Sequence, residues 1–137
     1  KQYDIHNLYD PNLSVKAGTK QIEWLKNYWK GKIQDSTQRA KFILASYNVG
    51  QGHVADARRL AKKYEGNPDT WKVVGQYLRK KSERQYYTDP VVKYGYCRGE
   101  EPYHYVREIM NRYEHYKRFI DQFEEEKNNQ ALSFLVN

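Results

Sequence analysis

Two segments with helical periodicity meet at the stretch Ala45-Ser46-Tyr47-Asn48-Val49-Gly50-Gln51-Gly52-His53. Apolar residues three and four positions apart predict a helix that starts near Asp35 or Ser36 and breaks at Asn48-Val49-Gly50. The same spacing predicts a helix from about Gly52 to Tyr64, ended by Gly66. The inward residues are expected to be Ala40, Ile43, Leu44 and Tyr47 on the earlier helix, and Val54, Ala57, Ala61 and Tyr64 on the later one.

Two more helices are predicted on either side of this pair. Asp10-Pro11-Asn12 reads as a turn, and Ser14 is a suitable N-cap for a helix that ends at Gly31. Asn67-Pro68-Asp69 reads as a second turn, in which Asp69 caps the helix that follows. The expected inward residues are Val15, Gly18, Ile22, Leu25 and Trp29 on the first of these helices, and Trp71, Val74 and Leu78 on the second.

The last predicted helix is the longest. Pro102 suits its first turn, and its apolar residues continue at helical spacing to about Lys127. Those residues are Val106, Ile109, Tyr113, Tyr116, Ile120 and Phe123. Residues 131–136 are apolar and are expected to dock on the body, so we divide the chain into a domain of residues 1–127 and a tail of residues 128–137. Since no segment alternates with a period of two, the predicted fold class is all-α, with about five helices.

Composition excludes several classes of protein. The chain has 137 residues, enough for one domain. Its 14 Tyr, 4 Phe and 3 Trp are too many for a chain that is disordered throughout. No apolar run approaches the roughly 20 residues that span a bilayer. The single cysteine, Cys97, excludes an internal disulfide and a cysteine-based zinc cluster.

The net charge and the histidine positions limit which ligands the sequence predicts. The 24 Lys and Arg against 17 Asp and Glu give a net charge of +7, which fits an anionic partner or simply a soluble basic surface. His104 and His115 are about 16 Å apart along one predicted helix and cannot share a metal ion. We therefore predict neither a metal nor a cofactor.

An aromatic-rich loop gives the most informative generic signal. Residues 80–99 lack a helical period, and long structureless loops are usually functional. Six tyrosines in or just after this loop offer flat faces for sugars or bases: Tyr86, Tyr87, Tyr94, Tyr96, Tyr103 and Tyr105. Glu100 and Glu101 lie at a helix start, where the dipole favours the ionised form, so neither is a suitable catalytic acid. Asp89 precedes Pro90 and is expected to face water.

Four segments in order carry a resemblance to a known family. The stretch at residues 45–53 resembles the AYNxGxGH-type motif of the Slt-type lytic transglycosylases, relatives of goose-type lysozyme. Residues 65–71, the Tyr94-Gly95-Tyr96-Cys97-Arg98-Gly99 stretch and residues 101–106 resemble the family segments that follow. Asp10-Pro11 and Val15-Lys16-Ala17-Gly18 are similar to its DPxxNIxAG helix start. The resemblance covers about residues 8–118 and implies a lysozyme-like helical domain.

The resemblance implies an activity and also a departure from the family pattern. The family cleaves the β-1,4 bond between N-acetylmuramic acid and N-acetylglucosamine in peptidoglycan and leaves a 1,6-anhydromuramoyl end. One Glu serves as acid and then as base, in contrast to the two carboxylates of most glycosidases. That Glu lies in an ES motif followed by a GLMQ-type motif, and neither occurs here. We therefore expect the catalytic Glu upstream of Lys1, no catalytic residue in this chain, and no cleavage by residues 1–137 alone.

The resemblance assigns substrate-binding roles to five residues. They are Tyr47, Asn48, Gln51, Tyr94 and Tyr105; Asn48 is expected to hydrogen-bond the glycan, and the Tyr105 hydroxyl to orient the catalytic carboxyl group. Glu101 is expected to be structural. The implied partner is peptidoglycan rather than nucleic acid, and the implied location is the periplasm or outer membrane of a Gram-negative bacterium. A non-catalytic glycan-binding module and a basic helical nucleic-acid binder are the alternatives.

Overall fold

The computed structural model describes residues 11–136, with side chains from residue 18 onward, and these residues form helices without a strand. The predicted all-α class is therefore confirmed. A first compact unit ends at Val106, and a second begins at Arg107. None of the described helices is both long and apolar enough to cross a bilayer. The helices are α1 (Pro11–Lys30), α2 (Ser36–Val49), α3 (Gln51–Lys63), α4 (Trp71–Lys80), α5 (Arg84–Tyr87) and α6 (Glu100–Val136).

The start of α1 differs from the prediction. The helix begins at Pro11, so Ser14 lies inside it and the expected turn at Asp10-Pro11-Asn12 is wrong from Pro11 onward; Asp10 lies outside the described residues. Proline suits the first helical position because its fixed φ matches the helix and its missing N–H has no partner there. The end before Gly31 is confirmed. The Val15 side chain lies outside the described residues, whereas Leu25 and Trp29 are buried as expected.

The buried face of α2 is rotated from the expected one. Asp35 caps the helix as predicted, accepting from the Gln38 N–H at 2.9 Å. The buried residues are Phe42, Ala45 and Ser46, whereas Tyr47 is 40% exposed. Ser46 is buried because Trp29 Nε1 donates to its Oγ at 2.9 Å. A pattern that counts only apolar residues assigns such a serine to the surface, and the predicted face was therefore wrong.

The boundary between α3 and α4 is set by contacts that sequence spacing does not reveal. Glu65 adopts a left-handed φ of 63° after α3, and the Gly66 N–H donates to the Ala61 carbonyl at 2.7 Å, which is a Schellman end. Asp69 does not cap α4, because it accepts from Arg58 instead. The Trp71 N–H at the start of α4, where a helix offers no acceptor of its own, donates to Gln38 Oε1 of α2 at 2.7 Å. The buried face of Trp71, Val74 and Leu78 is confirmed.

Residues 80–99 and the C-terminal residues also depart from the prediction. Helix α5 interrupts the expected loop, although residues 88–99 remain without a helix. Helix α6 begins at Glu100 and continues past Lys127 to Val136. Residues 131–136 belong to this helix rather than to a separate tail segment, and their expected docking on the body stays a prediction. The division of the chain at residue 127 stays a prediction.

Candidate functional site

The junction between α2 and α3 is a single glycine. Gly50 is the C-cap of α2 and the N-cap of α3, with φ 98° and ψ 142°. Its N–H donates to the Ser46 carbonyl at 2.7 Å. A positive φ of this kind is costly for any residue with a Cβ, so glycine is required here. Because it joins the two helices, the junction sets the positions of Asn48 at the end of α2 and Gln51 at the start of α3 relative to each other.

Three of the five predicted binding residues flank this junction. Tyr47 and Asn48 are exposed in the last turn of α2, and Gln51 is half-buried at the start of α3. The Tyr47 hydroxyl lies 3.2 Å from the point that a Cβ on Gly18 would occupy. Because Gly18 has no side chain, the Tyr47 hydroxyl can pack against α1 at this position.

The fourth predicted residue, Tyr94, reaches the same junction from the aromatic loop. Its ring contacts Gly52, and its centroid lies 6.3 Å from that of the His53 ring. The side chain remains 60% exposed, so a ligand can reach it. The fifth residue, Tyr105, is half-buried on α6. Its role beside a catalytic carboxyl group stays a prediction.

A buried charged cluster lies behind this surface, and sequence reasoning missed it. The side chains of Asp56 on α3 and Lys81 after α4 are both fully buried, and Lys81 Nζ donates to Asp56 Oδ2 at 2.8 Å. The Asp56 carboxylate also accepts from Arg59 and from the backbone N–H groups of Lys93, at 2.7 Å, and Tyr94, at 2.9 Å. The carboxylate thus joins α3, α4 and the aromatic loop.

The electrostatics of the cluster favour an ionised Asp56. Burial raises the pKa of Asp56, but the hydrogen bonds from Lys81, Lys93, Arg59 and Tyr94 outweigh burial and leave the pKa lowered. Lys81 Nζ also lies 2.8 Å from His53 Nδ1. Since an ammonium group only donates, Nδ1 accepts and the His53 ring is neutral. Burial and then the Lys81 charge lower the pKa of His53, in agreement with a neutral ring.

A signal for this cluster was present in the sequence. Asp56 precedes the inward residue Ala57 and lies four positions before the buried Leu60 on α3. Lys81 follows the inward residue Leu78 by three positions. Residues three and four apart share a helix face, so both charges lie in inward register. A charged residue in inward register requires a partner, and these two are each other's partner.

The described carboxyl groups that have a perturbed pKa are unsuited to donate a proton. A hydrogen bond from Arg79 at 2.7 Å lowers the pKa of Glu100, which is the direction expected for a carboxylate at a helix start. Asp89 is buried rather than facing water, and it accepts from Lys63 and from the Tyr64 hydroxyl. The Lys63 hydrogen bond lowers the pKa of Asp89. Glu101 is exposed beside Arg98.

A basic cleft lies on another side of α3. It has a volume of about 430 Å³. Four cationic side chains and one acidic side chain line it, together with Tyr28 and the buried Trp29. The charged residues are Lys32, Arg58, Arg59, Lys62 and Asp69. Among the residues that the structure describes, by contrast, no cluster of three or more His, Cys, Asp or Glu could hold a metal ion.

Comparison with known proteins assigns this arrangement to a family. Three relatives are membrane-bound lytic murein transglycosylases F. The one from Pasteurella multocida (strain Pm70) is 44% identical over 131 residues, which are 93% of this chain and 26% of the relative. That from Pseudomonas fluorescens (strain Pf0-1) is 41% identical over 110 residues, 80% of the chain and 22% of the relative. That from Shewanella woodyi (strain ATCC 51908 / MS32) is 39% identical over 132 residues, which are 96% of the chain and 27% of the relative.

The chain spans about a quarter of the length of these curated relatives. The family model described as transglycosylase SLT domain matches residues 1–70, which include α1, α2, the Gly50 junction and α3. That match covers just over half of the chain. The chain therefore belongs to the transglycosylase SLT domain family.

Proposed function

We propose that this chain forms part of the glycan-binding cleft of a lytic transglycosylase. The enzyme cleaves the β-1,4 bond between N-acetylmuramic acid and N-acetylglucosamine in peptidoglycan and forms 1,6-anhydromuramoyl ends. Family membership and the names of the relatives support this activity. The observation that carries the proposal is the exposure of Tyr47 and Asn48 at the Gly50 junction, together with Tyr94 packed on Gly52.

The proposed contacts follow from the chemistry of these side chains. The Asn48 amide can donate and accept at once, which suits the N-acetyl and hydroxyl groups of the sugars. The exposed Tyr47 and Tyr94 offer apolar ring faces with a polar hydroxyl at one end. Gln51 begins α3 beside them, and the Tyr105 hydroxyl is proposed to orient the catalytic carboxyl group.

The catalytic acid is proposed to be a Glu upstream of Lys1. An acid that protonates the glycosidic oxygen needs a raised pKa, as a carboxyl group in an apolar cleft has. Asp56, Asp89 and Glu100 all have lowered pKa values instead. After bond cleavage the same Glu acts as the base, and the substrate's own hydroxyl group closes the anhydro ring, so that no water is consumed.

The proposed partner and location follow from charge and from the relatives. Peptidoglycan carries acidic stem peptides, and the chain has a net charge of +7. The basic cleft lined by Lys32, Arg58 and Lys62 is compatible with these peptides. The relatives' names say that they are membrane-bound. We place the protein in the Gram-negative envelope, in the periplasm or at the outer membrane.

The test measures the release of anhydromuropeptides from purified peptidoglycan by mass spectrometry. The natural polypeptide that carries this chain should release them, and residues 1–137 alone should not. Asn48→Ala in the natural polypeptide should lower turnover by about 10²–10³-fold, the typical effect of removing one transition-state hydrogen bond. Its melting temperature should stay unchanged because Asn48 is exposed. Release by residues 1–137, or full turnover by Asn48→Ala, would contradict the proposal.

The same experiment separates the alternatives. A non-catalytic glycan-binding module would retain peptidoglycan binding that depends on Asn48, but the natural polypeptide would release no product. A nucleic-acid binder would bind DNA or RNA with an affinity that falls steeply with salt concentration. Such binding would be expected to depend on the cationic residues Arg58 and Lys62 rather than on Asn48.

A further inference from the structure

The segment that carries Tyr94 has little regular structure of its own. Residues 88–99 contain no helix, and Gly95 has a left-handed φ of 68°. Tyr94 and Tyr96 are both largely exposed, at 60% and 57%. Within the segment, the Val91 and Val92 N–H groups donate to Asp89, whereas the backbone on either side of Tyr94 and Tyr96 is held by residues outside the segment.

Asp56 and Lys81 hold the central part of this segment, from Lys93 to Cys97, at both ends. The Lys93 and Tyr94 N–H groups donate to the two carboxylate oxygens of Asp56, at 2.7 and 2.9 Å. The Cys97 N–H donates to the backbone carbonyl of Lys81 at 3.3 Å. The three residues between Lys93 and Cys97 are thus anchored on each side to a fully buried ion pair.

Helix α3 holds the ring of Tyr94 as well as its backbone. Gly52 and Asp56 are four positions apart and therefore share one face of α3. The glycine receives the Tyr94 ring, and the carboxylate one turn later accepts from the Tyr94 N–H. The helix fixes the distance between these two contact points, so the ring and the backbone of Tyr94 meet α3 one turn apart.

An ionised carboxylate is suited to this task. It has two acceptor oxygens with about four lone-pair directions, and Asp56 uses them for Lys81, Arg59 and two backbone N–H groups. An asparagine has one acceptor oxygen and would leave donors without a partner in a buried place. Lys81 supplies the opposite charge that a buried carboxylate needs.

From this geometry we infer that Asp56 is a positioning residue of the glycan cleft, which preorganises Tyr94 for the sugar by holding the Lys93 and Tyr94 N–H groups. This inference rests on the proposed function. It predicts that substitution of Asp56 weakens glycan binding only through Tyr94. A purely structural Asp56 would instead lower stability without this dependence.

The test is a double-mutant cycle on the affinity of the natural polypeptide for peptidoglycan glycan strands. Asp56→Asn and Tyr94→Ala should each weaken binding by about tenfold, as expected when preorganisation or an aromatic contact is lost. In the Tyr94→Ala background, Asp56→Asn should have less than about a twofold further effect. Full additivity of the two effects would overturn the inference.

Asp89→Asn is the matched control for this cycle. Asp89 is another buried carboxylate with a lysine partner, but its hydrogen bonds come from Lys63, Tyr64 and the Val91 N–H. Its substitution should lower the melting temperature, and any effect on affinity should be the same with and without Tyr94. If Asp56→Asn does not fold, Asp56→Glu enters the cycle instead, because it keeps the charge beside Lys81 and moves the carboxylate away from the two N–H groups.

Hydrogen exchange separates this inference from the proposed function. Peptides covering residues 88–99 should exchange faster in the Asp56→Asn protein, whereas peptides from the buried part of α2 should be unchanged. This readout needs no glycan. Faster exchange with no glycan binding by the wild type would contradict the proposed function alone, and unchanged exchange would overturn the inference alone.

Discussion

The ring of Tyr94 is in direct contact with Gly52. Three of its ring atoms, Cδ2, Cε2 and Cζ, lie 2.8–2.9 Å from the point that a Cβ on Gly52 would occupy. Real Cβ atoms essentially never approach other atoms so closely, so any side chain at position 52 must displace the ring. The second glycine of the GQG sequence thus has a steric role that is separate from the turn at Gly50.

Gly52→Ala should weaken glycan binding without loss of stability. The new methyl group displaces the Tyr94 ring, whereas alanine in a helix is favoured over glycine by about 0.5–1 kcal/mol. The affinity for peptidoglycan tests the expected loss of binding, and the melting temperature tests the expected stability. Gly31→Ala is the control, because nothing lies within 4 Å of a Cβ there. Unaltered affinity in Gly52→Ala would mean that Tyr94 does not contact the glycan.

Gly99→Ala should strongly destabilise the protein. A Cβ at this position would overlap the backbone of Leu78 and Arg79, and a backbone cannot rotate away as a side chain can. We expect a loss of about 3 kcal/mol, the upper end for overpacking a buried site. Urea denaturation measures the loss, again with Gly31→Ala for comparison. A loss below about 1 kcal/mol would show that α6 can move away from α4.

Glu65→Gly should stabilise the protein. Glu65 is exposed and has a φ of 63°, which costs a residue with a Cβ about 1 kcal/mol and costs glycine little. Glu83→Gly is the matched control, since Glu83 has an ordinary φ of −93° and gains nothing from glycine. Urea denaturation should give opposite signs for the two variants. Destabilisation by both would mean that the strain at Glu65 is relieved in another way.

Stability should fall in acid because Asp56 and Asp89 are ionised in the folded protein. Both carboxyl groups have pKa values lowered from 3.8, so their contribution is complete above that pH and is lost as the pH falls through the lowered values. Asp89→Asn should therefore flatten the decrease of melting temperature between pH 5 and pH 2. Glu23→Gln, an exposed change on α1, should leave the decrease intact. Equal slopes in all three proteins would contradict the assignment.

Tyr105→Phe tests the role proposed for the late tyrosine. The substitution keeps the half-buried ring and removes only the hydroxyl group. If that hydroxyl orients the catalytic Glu, turnover of the natural polypeptide should fall and the acidic limb of its pH–rate profile should shift. Tyr103→Phe, two residues earlier on α6, is the comparison. An unchanged profile would make Tyr105 a packing residue.

Local patterns predicted the helices well, and long-range contacts account for what they missed. The end of α1 at Gly31 and the cap at Asp35 follow from neighbouring residues. The buried side of α2 depends on a hydrogen bond from Trp29, 17 residues away. Likewise, the start of α4 is capped by Gln38, 33 residues earlier in the chain. No periodicity within one helix contains this information.

The candidate site likewise combines residues that the local sequence suggests with contacts that form only on folding. Tyr47, Asn48 and Gln51 could be proposed from the sequence because they are close together in it and the family motif includes them. The support behind Tyr94 was missed because Asp56 meets Lys93 and Lys81 only after folding, across 37 and 25 positions. The inward register of Asp56 signalled a buried partner but not which residue would provide it.

The four-residue spacing between Gly52 and Asp56 limits how this segment can change length. One residue inserted between them would turn Gly52 by about 100° around the axis of α3 relative to Asp56, since a helix has 3.6 residues per turn. The contact for the ring and the contact for the backbone of Tyr94 would then point in different directions. We therefore expect the protein to tolerate single-residue insertions and deletions in the turn at residues 64–70 but not between Gly52 and Asp56. Substitutions on the exposed side of α3 should still be tolerated there.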